Sequence, residues 1–146
     1  MEDRVIIREI RKDDAQAIQD IRVAISAKDA DVDFQKLVDQ HIQDRDSQTS
    51  LVAEVNNKIA GFMISTTLYA GFGLRKSAWI VSIGVHPDYM GQGLGLTLAE
   101  KTCEVYKEKG VKSIYSSVMW DSIDVLSFFK KLGFKRSEFI NLKKDL

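Results

Sequence analysis

The chain has 146 residues with 21 basic and 21 acidic side chains, so its formal net charge at neutral pH is zero. This length predicts a single domain over residues 1–146, and the balanced charge gives no reason to expect nucleic acid or an anionic membrane as a partner. The single cysteine, Cys103, excludes an internal disulfide and a multi-cysteine metal site, and no metal is expected. The start of the chain has no apolar core and the stretch 59–74 is interrupted by polar residues and glycines, so we expect a cytoplasmic protein.

The first half of the chain predicts one strand, two helices and a three-stranded meander. Asp13 or Asp14 is expected to cap the first helix, and Asn56-Asn57 supplies the turn of a hairpin. The last strand of the meander is apolar nearly throughout, as a strand covered on both faces would be. The predicted ranges are strand 5–10, helices around 14–25 and 34–42, strands 50–55 and 58–69, a loop over 71–76 and strand 78–85.

The second half predicts two helices that alternate with strands. The helix over 94–109 is amphipathic and ends at Gly110, a position typical of a helix stop. A strand over 112–119, a helix over 122–132 that Gly133 ends, and a last strand over 139–142 follow. The order β-α-α-β-β-β-α-β-α-β predicts an α/β layered domain with a mixed sheet.

A strand that ends at Val85 runs into a loop with alternating glycines, which are Gly91, Gly93 and Gly95. Glycine lets the backbone approach a ligand closely, and the free amides at the start of a helix favour a phosphate. The loop therefore predicts a phosphorylated ligand. The alternative is a tight turn with close helix packing, and the glycines alone do not decide between the two.

Two common phosphate-binding signatures do not fit this loop. A P-loop requires Gly-Lys followed by Ser or Thr, which the sequence lacks, and a dinucleotide fingerprint requires glycine where Leu96 stands. The stretch 83–95 instead resembles the acetyl-CoA motif of the GNAT acetyltransferase superfamily, Arg/Gln-x-x-Gly-x-Gly/Ala after an apolar strand. The stretch 128–134 is similar to the aromatic-Tyr-x-x-x-Gly-Phe segment of that family, and the order of predicted elements resembles its fold.

The resemblance implies a GNAT-like fold, whose mixed central sheet has splayed central strands and is flanked by helices. It also implies acetyl-CoA as a co-substrate, with its pantetheine arm along the strand that ends at Val85 and its pyrophosphate on the amides of 91–96. The thioester would enter the slot between that strand and the strand over 112–119. The implied cofactor-binding residues are Ile83, Val85, Met90, Gly91, Gln92, Gly93, Leu94, Gly95, Leu96, Ser122 and Phe129.

The chain departs from the family pattern at several site positions. Met90 replaces the usual Arg or Gln, which leaves the backbone amides in place. Phe129 stands where many members carry the tyrosine that protonates the leaving thiolate, and phenylalanine has no proton to donate. Ser122 and Ser117 stand in place of an asparagine that touches the cofactor and a glutamate base. The resemblance therefore assigns neither the acid nor the base.

Three residues beside the expected slot are catalytic candidates, namely Glu54, Asp121 and Tyr115. Each carboxylate is better explained as a solvated or capping group, and Asp121 directly precedes a helix as an N-cap would. Asp124 is a further candidate base, and Tyr69 and Ser122 are further candidate donors. His86, which lies in the His-Pro turn, is expected to be structural or exposed.

The expected function is direct transfer of an acetyl group to a primary amine, such as a protein N-terminus, a lysine or a small amine, without a covalent enzyme intermediate. In the family's fold the segment 28–46 is the acceptor-side lid, and its surplus of aspartates favours a cationic acceptor, with a solvated helix face as the alternative. Phe129 motivates another function, a non-catalytic acyl-CoA-binding or sensing domain, and an interaction module that does not bind CoA is a more distant one. The sequence is compatible with a homodimer.

Overall fold

A computed structural model describes residues 2–26, 33–43, 49–70 and 75–146 of the chain. Within those ranges, strands and helices follow one another largely as the sequence predicts. The strands are β1 (Val5–Glu9), β2 (Leu51–Val55), β3 (Lys58–Ala70), β4 (Arg75–Val85) and β5 (Ile114–Ser116). The helices are α1 (Ala15–Ile25), α2 (Phe34–Gln43), α3 (Leu94–Glu108) and α4 (Ile123–Lys131).

The described strands form one mixed sheet in the order β1-β2-β3-β4-β5. The first three pairs are antiparallel, whereas β4 and β5 are parallel because α3 forms the crossover between them. The turn between β2 and β3 is built by Asn56 and Asn57, which both have positive φ, as a tight hairpin requires. The predicted α/β class with a mixed sheet is confirmed.

Each face of the sheet packs against a pair of helices. On one face, Leu98 of α3 and Phe129 of α4 pack around Met63. On the other face, Ile18 of α1 packs with Phe62. Phe62 precedes Met63 on β3, and successive residues of a strand point to opposite faces. Full burial of such a side chain stabilises the fold by about 1.5–3 kcal/mol. None of the helices in the described ranges is long and apolar enough to cross a membrane.

Two strands differ in length from the predicted ones. β4 begins at Arg75 rather than Ala78, because Arg75 and Lys76 pair with the end of β3 instead of forming a loop. The rest of that predicted loop, residues 71–74, lies outside the described residues. β5 is restricted to Ile114–Ser116 although 112–119 has a strand pattern, because the chain leaves the edge of β4 after Ser116.

The strand predicted over 139–142 is wrong for this structure. The segment lies beside β5 and contacts it through side chains, with the rings of Phe139 and Tyr115 5.9 Å apart and Asn141 Nδ2 donating to Ser117 Oγ at 2.7 Å. Among the residues described, no backbone ladder joins the segment to β5. A pattern of apolar residues indicates an extended segment, but a strand also needs a backbone partner, which the pattern does not supply.

The boundaries of two helices follow the predicted signals. Gly110 follows α3 with a φ of 81°, and Gly133 follows α4 in the same left-handed region, so both predicted stops are confirmed. Helix α1 begins immediately after Asp14, one of the two expected caps. The carboxylate of Asp14, however, accepts hydrogen bonds from Arg8 and from the N–H of Arg11.

Candidate active site

Strands β4 and β5 part from each other within the sheet. Their pairing runs from Ala78 beside Ile114 to Ile80 beside Ser116 and goes no further. β4 continues to Val85 beyond that point, so its outer edge is open over its second half. The structure thus forms a fork between the two strands, at the position where the sequence predicts a slot.

A β-bulge at Val81 sets the direction of the peptide groups along the open edge. Ile64 lies opposite Ser82 and Ser65 lies opposite Ile80, so Val81 is an extra residue with no partner on β3. One inserted residue reverses the alternation of the strand after it. As a result, Ile80 before the bulge and Ile83 and Val85 after it all face the α3 side.

The peptide groups of Ile83 and Val85 face the fork. The N–H of His86 donates to the carbonyl of Ala60 on β3 at 2.8 Å. Backbone N–H and C=O groups alternate in direction along a strand, so those of Gly84 also point to β3 and those of Ile83 and Val85 point outward. Consistent with this, Arg22 Nη1 of α1 donates to the carbonyl oxygen of Ile83 at 3.3 Å. Sequence reasoning missed Arg22, because no motif links α1 to β4.

The turn after β4 is fixed by His86. Its Nδ1 accepts a hydrogen bond from the N–H of Asp88 at 3.1 Å, which caps the short 3-10 turn Pro87–Tyr89. Its ring also contacts the ring of Tyr89 edge to face. This is the structural role that the sequence predicts for His86, and it shapes the entry to the glycine loop.

Gly91 and Gly93 hold the loop in a conformation that only glycine adopts readily. Their φ angles are 84° and 79°, in the left-handed region, and a Cβ on either would meet no atom within 4 Å. Among the described residues, the amides of 91–96 have no hydrogen-bond acceptor, whereas Thr97 donates both its N–H and its hydroxyl to the carbonyl of Gly93. The start of α3 therefore presents free N–H groups beside open space, which is an anion-binding arrangement.

Of the remaining loop residues, some pack against the core and others are exposed to solvent. A Cβ on Gly95 would lie 3.1 Å from the ring of Phe128, so this glycine allows α3 and α4 to approach closely. Leu94 is buried in the core and Leu96 is half-buried, so each can offer only its backbone to a ligand. Met90 and Gln92 are exposed.

Phe129 packs inside the core of the α3 side. Its ring centroid lies 5.3 Å from that of Phe128 and 4.9 Å from that of Phe134, both edge to face, and the residue is 6% exposed. Ser122 is the N-cap residue of α4 but its side chain makes no capping hydrogen bond. The contact of either residue with a cofactor stays a prediction.

Glu54 is held in an ion-pair cluster away from the fork, on the α1 side of the sheet. Arg8 donates to Glu54 at 2.8 Å and to both carboxylate oxygens of Asp14 at 2.8 and 2.9 Å. Burial opposes ionisation of Asp14, but the hydrogen bonds from Arg8 and from the N–H of Arg11 outweigh it and hold the pKa of the carboxyl below its ordinary value. Glu54 therefore serves the fold, and we do not propose it as a base.

Tyr115 lies in the paired part of β5, one residue before the last pair at the fork. Its ring stacks on that of Trp79 with centroids 5.1 Å apart and 23° between the planes, across the pairing of β5 with β4. Trp79 Nε1 is buried and has no hydrogen-bond partner among the described residues. Trp79 was not predicted as a site residue, although an indole within an aliphatic strand was a visible signal.

Asp121 and Asp124 are exposed and follow the C-terminal end of β5. The N-cap of α4 is Ser122, so the expectation that Asp121 caps this helix is wrong. The reason is that Asp121 lies inside a turn, which the N–H of Ser122 closes by donating to the carbonyl of Met119, so the helix begins one residue later than expected. Tyr69, by contrast, is exposed at the far end of the β3–β4 hairpin.

The acidic segment over 28–46 is described in part. Residues 27–32 and 44–48 lie outside the described residues. Asp33 accepts a hydrogen bond from a backbone N–H of the first turn of α2, and Asp39 accepts one from Gln35 within that helix. These two carboxylates have structural roles, and attraction of a cationic acceptor by the segment stays a prediction.

Comparison with known sequences agrees with this arrangement. The sequence profile of the acetyltransferase (GNAT) family matches residues 9–134. A curated relative, an uncharacterized N-acetyltransferase from Methanocaldococcus jannaschii, is 32% identical over 97 residues. The matched region is 66% of this chain and 43% of the relative, so the chain spans less than half of the length of that protein.

Solved structures share the fold over almost the whole chain. An aminoglycoside N-acetyltransferase in complex with CoA superposes with a TM-score of 0.85 at 16% identity, covering 99% of this chain and 97% of the other. A ribosomal-protein-alanine N-acetyltransferase from Brucella melitensis biovar Abortus gives 0.76 at 17% identity, covering 98% of this chain and 99% of the other. At these identities the likeness establishes the fold.

Proposed function

The chain belongs to the acetyltransferase (GNAT) family, and from that premise we propose that it transfers the acetyl group of acetyl-CoA to a primary amine. The observation that carries this proposal is the run of amides over 91–96 that have no acceptor within the described part of the chain, beside the open edge of β4. No side chain is needed for that recognition, so Met90 in place of Arg or Gln does not weaken it. A neighbour with the same fold binds CoA, which supports the same ligand here.

Two parts of the backbone would hold the cofactor. The N–H groups of 91–96 would donate hydrogen bonds to the diphosphate, assisted by about half a positive charge from the α3 dipole. The outward peptide groups of Ile83 and Val85 would pair with the amides of the pantetheine arm, in the manner of an added strand. Because Arg22 already donates to the carbonyl of Ile83, the arm would share that oxygen or displace the guanidinium.

Acetyl-CoA supplies the activated carbonyl, and the chain supplies position and hydrogen bonds. Holding the amine and the thioester together at the fork lowers the activation free energy by about 7–11 kcal/mol. A backbone N–H of the open β4 edge would stabilise the developing oxyanion. The amine nitrogen forms the new C–N bond, the C–S bond breaks, and the proton lost by the amine is taken up by water or by an exposed carboxylate such as Asp121 or Asp124.

The leaving thiolate has no tyrosine at position 129 to protonate it. A positioned acid contributes about 10²–10⁴-fold, so its loss lowers the rate without removing positioning or oxyanion stabilisation. Tyr115 is the donor we favour, because it lies one residue from the fork, nearer than Tyr69 at the far end of the hairpin. Cys103 does not act as a nucleophile, since it lies half-buried on α3, and burial together with Glu100 raises the pKa of its thiol.

Binding and turnover test this proposal separately. Calorimetric titration with CoA and acetyl-CoA is expected to show binding, and release of free thiol from acetyl-CoA is expected with at least one of a lysine peptide, an N-terminal peptide, a polyamine or an aminoglycoside. Binding without thiol release would favour the sensing domain instead. No binding of either form of the cofactor would contradict both functions.

Phe129→Tyr distinguishes an active enzyme from a degenerate one. The new hydroxyl would enter a buried aromatic cluster, so we expect the free energy of unfolding to fall by about 1–3 kcal/mol and thiol release to change little. Chemical denaturation and the thiol assay measure the two effects, with Phe128→Tyr as the control one residue away. Thiol release that rises by about 100-fold or more would show that position 129 reaches the slot and would support the sensing function for the parent.

A further inference from the structure

Helix α1 packs directly on the part of β4 that follows the bulge. A Cβ on Gly84 would lie 2.8 Å from the ring of Phe62 and 3.1 Å from Cδ1 of Ile25, so the glycine lets α1 approach the strand. Phe62 lies opposite Gly84 on β3 and belongs to the core of the α1 side. The last turn of α1 is therefore held against β4 where the outer edge of that strand is open.

Arg22 extends from this turn of α1 to the open edge of β4. It precedes Ile25 by three residues, so the two side chains lie on one face of the helix. Its Nη1 donates to the carbonyl oxygen of Ile83 at 3.3 Å, and its Nε is buried. The guanidinium, which is charged at any ordinary pH, thus brings a half-buried positive charge to the fork, where a charge acts more strongly than in water.

The order of the groups in acetyl-CoA would place its sulfur beside Arg22. The glycine loop follows β4 in the chain, so an arm that starts from a diphosphate on 91–96 runs back along the strand. Its first amide would meet Val85 and its second amide Ile83, since outward peptide groups recur every two residues. The sulfur is two carbons beyond the second amide, so the thioester would lie next to the carbonyl that Arg22 contacts.

We propose that Arg22 stabilises the thiolate that leaves acetyl-CoA, an inference that rests on the function proposed above. When the amine forms the C–N bond, the electron pair of the broken C–S bond passes to sulfur, and the guanidinium compensates the negative charge. Arginine keeps its own proton, so the thiolate departs as an anion or takes a proton from Tyr115 or water. A charge from the α1 side thus serves where Phe129, packed on the α3 side, has no proton to donate.

A positive charge is sufficient for this role. An opposite charge within about 4–6 Å lowers the pKa of an acid by about one to three, which favours the anion by about ten- to a thousandfold. A positioned acid contributes about 10²–10⁴-fold, so the two effects overlap in size. The carbonyl of Ile83 has two lone pairs, so it can accept from Arg22 and from the cofactor amide together.

The pH dependence of CoA binding tests the proposal without an acceptor. If Arg22 favours the thiolate, bound CoA releases its proton at a lower pH than free CoA does, and its affinity rises with pH. Desulfo-CoA, in which hydrogen replaces the thiol, lacks that proton and is the matched ligand. Titration calorimetry on both sides of the ordinary thiol pKa, about 8.5, is expected to show the affinity ratio of CoA to desulfo-CoA rising about tenfold in the parent.

Substitution of Arg22 identifies the source of that rise. Arg22→Met removes the charge and is expected to give a constant ratio, whereas Arg22→Lys keeps the charge and is expected to retain part of the rise. Lys101→Met removes a positive charge from the exposed face of α3 and is expected to behave as the parent. Circular dichroism checks that each variant folds.

The outcomes separate this inference from the function on which it rests. A parent that binds CoA with a constant ratio overturns the role of Arg22, whether or not the variants fold. An undiminished rise in a folded Arg22→Met variant overturns it as well. A parent that does not bind CoA contradicts the proposed function itself, and the role of Arg22 with it.

Turnover gives a second measurement, with an acceptor that produces thiol release. Because the thiolate charge develops in the transition state, Arg22→Met is expected to lower kcat by about ten- to a hundredfold and to leave KM for acetyl-CoA nearly unchanged. A loss confined to KM would show that Arg22 serves cofactor binding alone, and it would overturn the proposal.

Discussion

Gly93→Ala is expected to weaken CoA binding by about five- to thirty-fold. Gly93 has a φ of 79°, a conformation that costs a residue with a Cβ about 1–2 kcal/mol. A loop that relaxes out of this conformation turns its amides away from the diphosphate, and binding must then supply the energy to restore them. Titration calorimetry with CoA measures the loss.

Gly110→Ala is the matched control for this substitution. Gly110 lies at the other end of α3 with a φ of 81°, and a Cβ there would also meet nothing within 4 Å. Both variants are expected to lose similar stability in thermal unfolding, but only Gly93→Ala to lose affinity. Equal CoA affinity in the two variants would show that the glycine loop serves the fold alone.

Arg8→Met is expected to destabilise the fold by about 3–5 kcal/mol. Arg8 joins Asp14 and Glu54, whose side chains are only 6% and 18% exposed. Removing the guanidinium leaves two largely buried carboxylates without their shared partner, which costs far more than an exposed ion pair contributes. Denaturant unfolding measures the change, with Lys101→Met in the exposed Lys101–Glu104 pair as a control expected to cost under about 1 kcal/mol.

The pH dependence of stability follows from the same cluster. Because the pKa of Asp14 lies below its ordinary value in the fold, its contribution is present above the ordinary carboxyl pKa and is lost as the pH falls through the folded one. Without Arg8, burial instead favours the protonated form. The difference in stability between parent and Arg8→Met is therefore expected to shrink on acidification, and a constant difference would contradict this account.

Local sequence signals predicted the elements well where the deciding interactions are local. The Asn56-Asn57 turn and the stop at Gly110 depend on backbone preferences of single residues, and both are confirmed. The strands at 112–119 and 139–142 were predicted too long or wrongly, because their pairing depends on which edge lies beside them. An apolar pattern is the same whether or not such an edge exists.

The candidate site divides in the same way. The glycine loop could be predicted because an anion site at a helix start is made of consecutive backbone amides, which a sequence motif specifies. The role of Glu54 could not, because its partners Arg8 and Asp14 come from other elements. The same is true of Trp79 beside Tyr115 and of Arg22 beside Ile83, which meet only in the folded chain.

The bulge at Val81 adds one residue to β4 that the pairing with β3 does not use. Val81 is exposed and has no partner on β3, so many side chains would be accepted there. Deleting it would join Ile80 directly to Ser82, and these two would still lie opposite Ser65 and Ile64, so Ile83 and Val85 would keep their partners on β3 and the side they face. A one-residue deletion at this position is therefore expected to be better tolerated than one at a paired position such as Ile83.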